Sequence, residues 1–146
     1  MLGLDALVEG FLSCTLPRAE WTHAAHLRVG AWHVHHYGAE EALERLRRGI
    51  RALNDSHGTA NTETSGYHET ITAAYVRLLA VFLASFDGAV SVERRVHALL
   101  EGPLADRAVL LRFWSKELLM SPAARRDWVP PDMAPLAVPA DALRGR

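Results

Sequence analysis

Apolar residues recur every three or four positions along most of this chain, and no alternating run of useful length competes with them. That spacing is the helical period, whereas a half-buried strand alternates at every second residue. The pattern therefore predicts an all-α fold and leaves a sheet with no segment to build it. Leu4, Leu7, Val8, Phe11 and Leu12 predict a first helix over about residues 4–14. A second is expected over about residues 21–37, with Gly38 as its stop. The third, over about residues 39–55, carries Glu40 and Glu41 early and Arg45, Arg47, Arg48 and Arg51 late, the order that suits the helix dipole.

The polar stretch 58–66 reads as a loop, and a long apolar helix follows over about residues 67–86. Ser91 can cap a short helix that reaches Leu100. Gly102-Pro103 breaks the chain, and a helix from Leu104 to Met120 is expected beyond it. Ser121 followed by Pro122 opens a short last helix. Pro130, Pro131, Pro135 and Pro139 predict an extended Pro-rich C-terminal tail from about residue 129, packed along the surface before it frays. A length of 146 residues with 49% hydrophobic content fits one domain over residues 1–146. The expectation is a single-domain helical bundle of about five or six helices.

Sixteen basic and seventeen acidic residues leave a formal charge of -1, so no basic excess favours nucleic acid. The single cysteine, Cys14, excludes an intrachain disulfide, fits a reducing compartment and reads as a small core residue. No run of about 18 apolar residues predicts a membrane span. The first residues lack the basic-then-apolar order of a signal peptide. A cytoplasmic location is the expectation, with no nucleic acid or membrane partner.

Eight histidines are the unusual feature. In Trp21-Thr22-His23-Ala24-Ala25-His26-Leu27, His23 and His26 stand one turn apart on one helix face, where both can reach one metal ion. The same stripe continues through Gly30, His33 and Tyr37. Gly30 costs helix stability, about 1 kcal/mol against alanine, and leaves a gap beside the imidazoles. Solvated faces also carry such pairs, and two ligands do not close a site.

The loop 58–66 delivers Tyr67-His68-Glu69 into the start of the most apolar helix. His68, Thr72, Tyr75 and Leu79 are expected on one face, which makes Tyr75 a substrate-binding candidate. With the two helices side by side, His23, His26 and His68 form an expected three-histidine set with an open coordination position. Glu69 then moves a proton, supports a ligand from behind, or ligates the metal itself. A plain capping role for His68 and Glu69 is the competing reading. Glu20 with His23 offers one Glu-x-x-His pair, where dinuclear bundles use two. His57 at a helix end reads as a cap, and His35, His36 and His97 as surface. Lys116 and Arg125 are the candidates for an anion pocket.

The blocks Trp21-Thr22-His23-x-x-His26-Leu27, Asn54-x-x-x-Gly58, Asn61-Thr62, Gly66-Tyr67-His68-Glu69-Thr70 and Trp128-x-x-Pro131-Asp132 together resemble an uncharacterised family of short bacterial helical proteins. The resemblance covers Phe11 to about Leu136, and it implies organisation and no reaction. On the residues, the expected function is a small metalloenzyme. A mononuclear divalent transition metal (zinc, iron or nickel) on the histidine cluster would act on a small molecule that could be anionic. The alternative is a non-catalytic metal- or ligand-binding regulatory protein. The expected partner is a small-molecule substrate or ligand, with a homodimer as the oligomeric option.

Overall fold

The computed structural model describes residues 1–144. Seven α-helices and no strand occur among them. They are α1 (Leu4–Leu12), α2 (His23–Ser56), α3 (Glu69–Ala84), α4 (Val92–Leu100), α5 (Lys116–Leu119), α6 (Pro122–Arg126) and α7 (Ala140–Leu143). The all-α bundle expected from the apolar spacing is formed.

The two helices expected before and after Gly38 run as one bent rod, α2, broken at Gly38 with φ 78° and ψ 165°. A positive φ is strained for any residue with a Cβ, so glycine sets the bend. α2 packs along α3 over the largest helix–helix contact, and α1 and α4 close its other sides. Phe11, Leu27, Leu53, Leu78, Phe82 and Leu99 are sealed from solvent between them. Each such side chain contributes about 1.5–3 kcal/mol through burial. Arg95 is buried too, and donates to the carbonyls of Leu83, Asp87 and Val90, closing the α3–α4 turn.

The single helix expected over 104–120 is not formed. Two short 3-10 turns, Pro103–Ala105 and Val109–Arg112, precede α5 instead. Competing hydrogen bonds explain the break. The Asp106 carboxylate accepts from the amide of Ala108, and Asp132 accepts from both the amide and the hydroxyl of Ser115. Ser and Asp side chains that satisfy the backbone in this way favour turns over helix interiors. The result is an irregular wall over one side of the α2–α3 pair.

The C-terminal segment is tied down more firmly than a surface tail. Thr70 on α3 donates to the Asp127 carbonyl and accepts from the Val129 amide. Trp114, fully buried, donates its indole N–H to the Val129 carbonyl and meets Trp128 edge-on. Beyond the prolines α7 folds back against α3 and buries Leu143. Any fraying at residues 145–146 lies outside the described residues. Cys14 is half-buried in the turn after α1, at φ 59°, and not in the core.

Candidate functional site

A cavity of about 570 Å³ opens between both arms of α2, the first half of α3 and the irregular wall. Its floor is apolar: Leu27, Leu46, Ile50, Ile71, Val76 and Leu79. Leu110, Leu111, Leu119 and Met120 supply the wall. The polar groups facing it are few: Thr22, His23, His26, Thr72, Tyr75, Arg107 and Lys116. A mainly apolar cavity of several hundred Å³ with a small set of convergent polar groups is the usual build of a small-molecule site.

Thr22 starts α2, its side chain accepting from the Ala25 amide. The first turn of α2 thus sets both histidines at the cavity. The His23 Nε2 lies 3.1 Å from the Leu104 carbonyl. A carbonyl can only accept, so Nε2 carries the proton and donates. His26 is the other tautomer: its Nδ1–H donates to the Thr22 carbonyl at 2.7 Å, which leaves Nε2 bare. The His26 ring stacks on Trp21, centroids 3.7 Å apart. Protein crowding around the ring lowers its pKa, against the Thr22 hydrogen bond, and the nearby His23 and Arg107 lower it further. Solvent still reaches the ring at the cavity mouth, which moderates the crowding.

Tyr75 stands edge-on to His23 at 5.7 Å between centroids. Burial and the Asp106 charge push its phenol up to about 12, so it stays a neutral donor near neutral pH. Lys116 and Arg107 are exposed at the rim, and no ion pair among the described residues includes either.

Gly30 lies under the cavity on α2, and a Cβ there would sit 2.9 Å from Leu79 Cδ1. The gap expected from the sequence is therefore present and is filled by a floor residue. Gly30→Ala should gain up to about 1 kcal/mol of helix propensity. It should also turn the Leu79 methyl into the cavity and weaken ligand binding. Thermal melts and ligand titration of the variant check this, and undiminished binding would show that the gap plays no part.

The structure divides the other candidates. His68 is not at the cavity: it is buried at the N-cap of α3, Nδ1 accepting from the Ile71 amide and Nε2–H donating to the Leu119 carbonyl at 2.7 Å. Both ring nitrogens are taken. The expected grouping with His23 and His26 is not assembled, and no group of three or more His, Cys, Asp or Glu placed to hold a metal ion occurs among the described residues. Glu69 is likewise engaged elsewhere. Its carboxylate accepts from Arg47 at 2.6, 2.9 and 3.1 Å and from the Tyr67 hydroxyl at 2.7 Å. Burial pushes the carboxyl up, but the Arg47 and Tyr67 hydrogen bonds outweigh it and hold it below the ordinary range.

Arg125 does not share a pocket with Lys116. It donates to the Gly66 carbonyl and lines a small polar cleft with Arg51 and Asn61. Glu20 is exposed beside the helix start. His33 is buried away from the cavity, donating to the Val29 carbonyl and packed on Phe11 and Trp32. His57 is the C-cap of α2, its Nε2 donating to the Leu16 carbonyl. His23, His26, Tyr75 and Lys116 are thus brought together, and His68, Glu69 and Arg125 are not. Arg107 was missed, because nothing in its local sequence marks it; only the fold carries it to the rim.

No family model, no curated protein and no solved structure matches the chain. Among the described residues no helix is long and apolar enough to cross a membrane.

Proposed function

We propose that the protein binds a small, mainly apolar molecule in the 570 Å³ cavity, with His26 as the group that exchanges a proton with it. The observation that carries this is the bare Nε2 of His26, its tautomer fixed by the Nδ1–Thr22 hydrogen bond, on a ring at the mouth of an apolar cavity. A neutral imidazole whose tautomer is set from behind is ready to accept a proton or a hydrogen bond. The Trp21 stack holds the ring plane, and the neutral Tyr75 hydroxyl supplies a donor nearby. Catalysis and ligand sensing share this binding step, and they separate on whether a bound compound is turned over.

A thermal-shift screen of small molecules, followed by titration, tests the reading. A ligand at a hundred times its Kd should stabilise the protein by about 2.7 kcal/mol. His26→Gln should weaken hydrogen-bonding ligands about fivefold and spare apolar ones, since a charge-free hydrogen bond is worth about 1 kcal/mol. If hits bind the variant and the wild type equally, His26 has no part in recognition.

A second reading keeps the metal. A histidine whose Nδ1–H is held by a backbone carbonyl presents Nε2 as metal-bound imidazoles do, and His26 does so beside His23. In this reading a zinc, iron or nickel ion would take further donors from the bound molecule. Elemental analysis decides: about one metal per chain, lost in His26→Gln, supports it, and a metal-free protein that binds ligand returns the role to the proton.

A further inference from the structure

The cavity has an apolar body and a cationic rim, and the two are unequal in what they lack. The floor, the wall and Trp21, eleven apolar side chains with a glycine, need only a hydrocarbon or aromatic partner to replace water. The rim carries two full positive charges, Arg107 and Lys116, neither in an ion pair among the described residues. Among the described residues Arg45, Arg47 and Arg126 pair with carboxylates, whereas Arg107 and Lys116 are left free at a cavity whose other lining is mainly apolar. Asp106, next to Arg107, spends Oδ1 on the Ala108 amide, and no Asp or Glu is among the described residues that line the cavity. Arg107 stands between the two 3-10 turns of the irregular wall and Lys116 opens α5, so the two reach the cavity lining from separate elements. Leu111 and Met120, both partly exposed, line the same wall beside them.

Resting on the pocket reading above, we infer that the ligand class is an amphipathic organic acid, its carboxylate held between Arg107 and Lys116 and its hydrocarbon body inside the cavity. The Tyr75 hydroxyl and the Thr22 hydroxyl stand on the same lining and can donate to the second carboxylate oxygen or to a polar atom along the body. Arg107 offers a planar two-donor fork and Lys116 a compact charge, so a carboxylate can engage both without a shared geometry. A cation in place of the acid would meet two like charges at the opening. A neutral alcohol would bury the same chain and leave both charges unanswered.

Three eight-carbon probes of near-equal shape test the class: octanoate, octan-1-ol and octylamine, titrated by calorimetry at low salt, with Trp21 fluorescence as the local signal. Octanoate should bind at least tenfold tighter than octan-1-ol, and octylamine weaker than either. Added salt should shrink the octanoate preference and leave the alcohol unchanged, because rim charges are screened. In the double variant Arg107→Gln/Lys116→Gln, octanoate should fall to the affinity of octan-1-ol, with the alcohol itself unaffected. Both residues are exposed, so the fold should tolerate the change, and the unaffected alcohol is the internal control. Octan-1-ol binding as tightly as octanoate, or an octanoate preference that survives in the double variant, overturns the acid class and leaves the pocket standing. Saturable binding of none of the three overturns the pocket reading and the inference with it.

Discussion

Arg47→Met should lower the melting temperature by about 5–10 °C, the largest loss expected from any exposed-face substitution in α2. Glu69 is 8% exposed at the first position of α3, and Arg47 on the second arm of α2 gives it three of its four hydrogen bonds. Without Arg47 the carboxylate keeps only the Tyr67 hydroxyl and the positive end of α3. Stranding one partner of a buried pair costs about 3–5 kcal/mol. The Arg47 side chain is 34% exposed, so screening by solvent brings the figure to about 2–3 kcal/mol. Adding Glu69→Gln to Arg47→Met should recover at least half, since glutamine still accepts from Tyr67 and no longer brings a buried charge. The pH dependence has a definite sign. A carboxyl held below its ordinary pKa contributes stability that is full above that ordinary value and is lost as pH falls through the folded one. The gap between wild type and Arg47→Met should therefore close in acid. Urea melts across pH check both statements; a shift under about 2 °C at neutral pH would show that the pair does not hold α2 to α3.

This clasp explains why the chemistry around Glu69 reads so differently in one dimension and in three. In the sequence, Arg47 is one of four arginines late in a helix, and a solvated dipole-matched face accounts for them fully. Nothing local says that a carboxylate 22 residues away will claim one of them. The misplacement of His68 has a smaller origin. The face His68–Thr72–Tyr75–Leu79 assumes that His68 is helical. It is instead the N-cap, extended at φ -131° and ψ 110°, and its ring leaves the face on which Thr72, Tyr75 and Leu79 reach the cavity. One residue in the helix start thus removes a histidine from the site while leaving the rest of the stripe in place.

What was legible rests on signals that are complete within a few residues. Gly38 breaks its helix by the positive φ that only glycine adopts easily. Ser91 and Ser121 cap as expected, each accepting from the amide three positions on. The pair His23 and His26 with Gly30 shares a face because all three lie inside one regular turn sequence. The segment 103–120 was not legible, because its apolar spacing is helical while its hydrogen bonds are tertiary. Asp132, far along the chain, takes the Ser115 amide, and no window over the segment contains it. The irregular wall that follows is what carries Arg107 and Lys116 to the cavity rim.

His68→Ala should cost about 3 kcal/mol, and the loss should be the same with and without a chelator. The ring joins two elements. Nδ1 caps α3 through the Ile71 amide, and Nε2–H satisfies the Leu119 carbonyl at the end of α5. Losing an N-cap costs about 1 kcal/mol, and leaving a buried carbonyl without a donor about 1–3 kcal/mol more. His68→Asn should keep the cap and lose only the Leu119 link, so about half the stability should return. Acid separates the two variants further. Burial lowers the His68 pKa against the opposing Leu119 hydrogen bond, and a proton on Nδ1 would abolish the cap outright. For a base held neutral in the fold, the unfolded chain takes up the proton first. Stability is then full above the ordinary histidine value of about 6.5 and falls as pH drops from there toward the folded value. Wild type should lose that part of its stability between pH 7 and 5, and His68→Asn should not. Chemical melts at both pH values, each with and without EDTA, measure all of this. A His68→Ala loss that disappears once metal is stripped would mean that the ring stabilises through a bound ion, and would return His68 to the ligand set with His23 and His26.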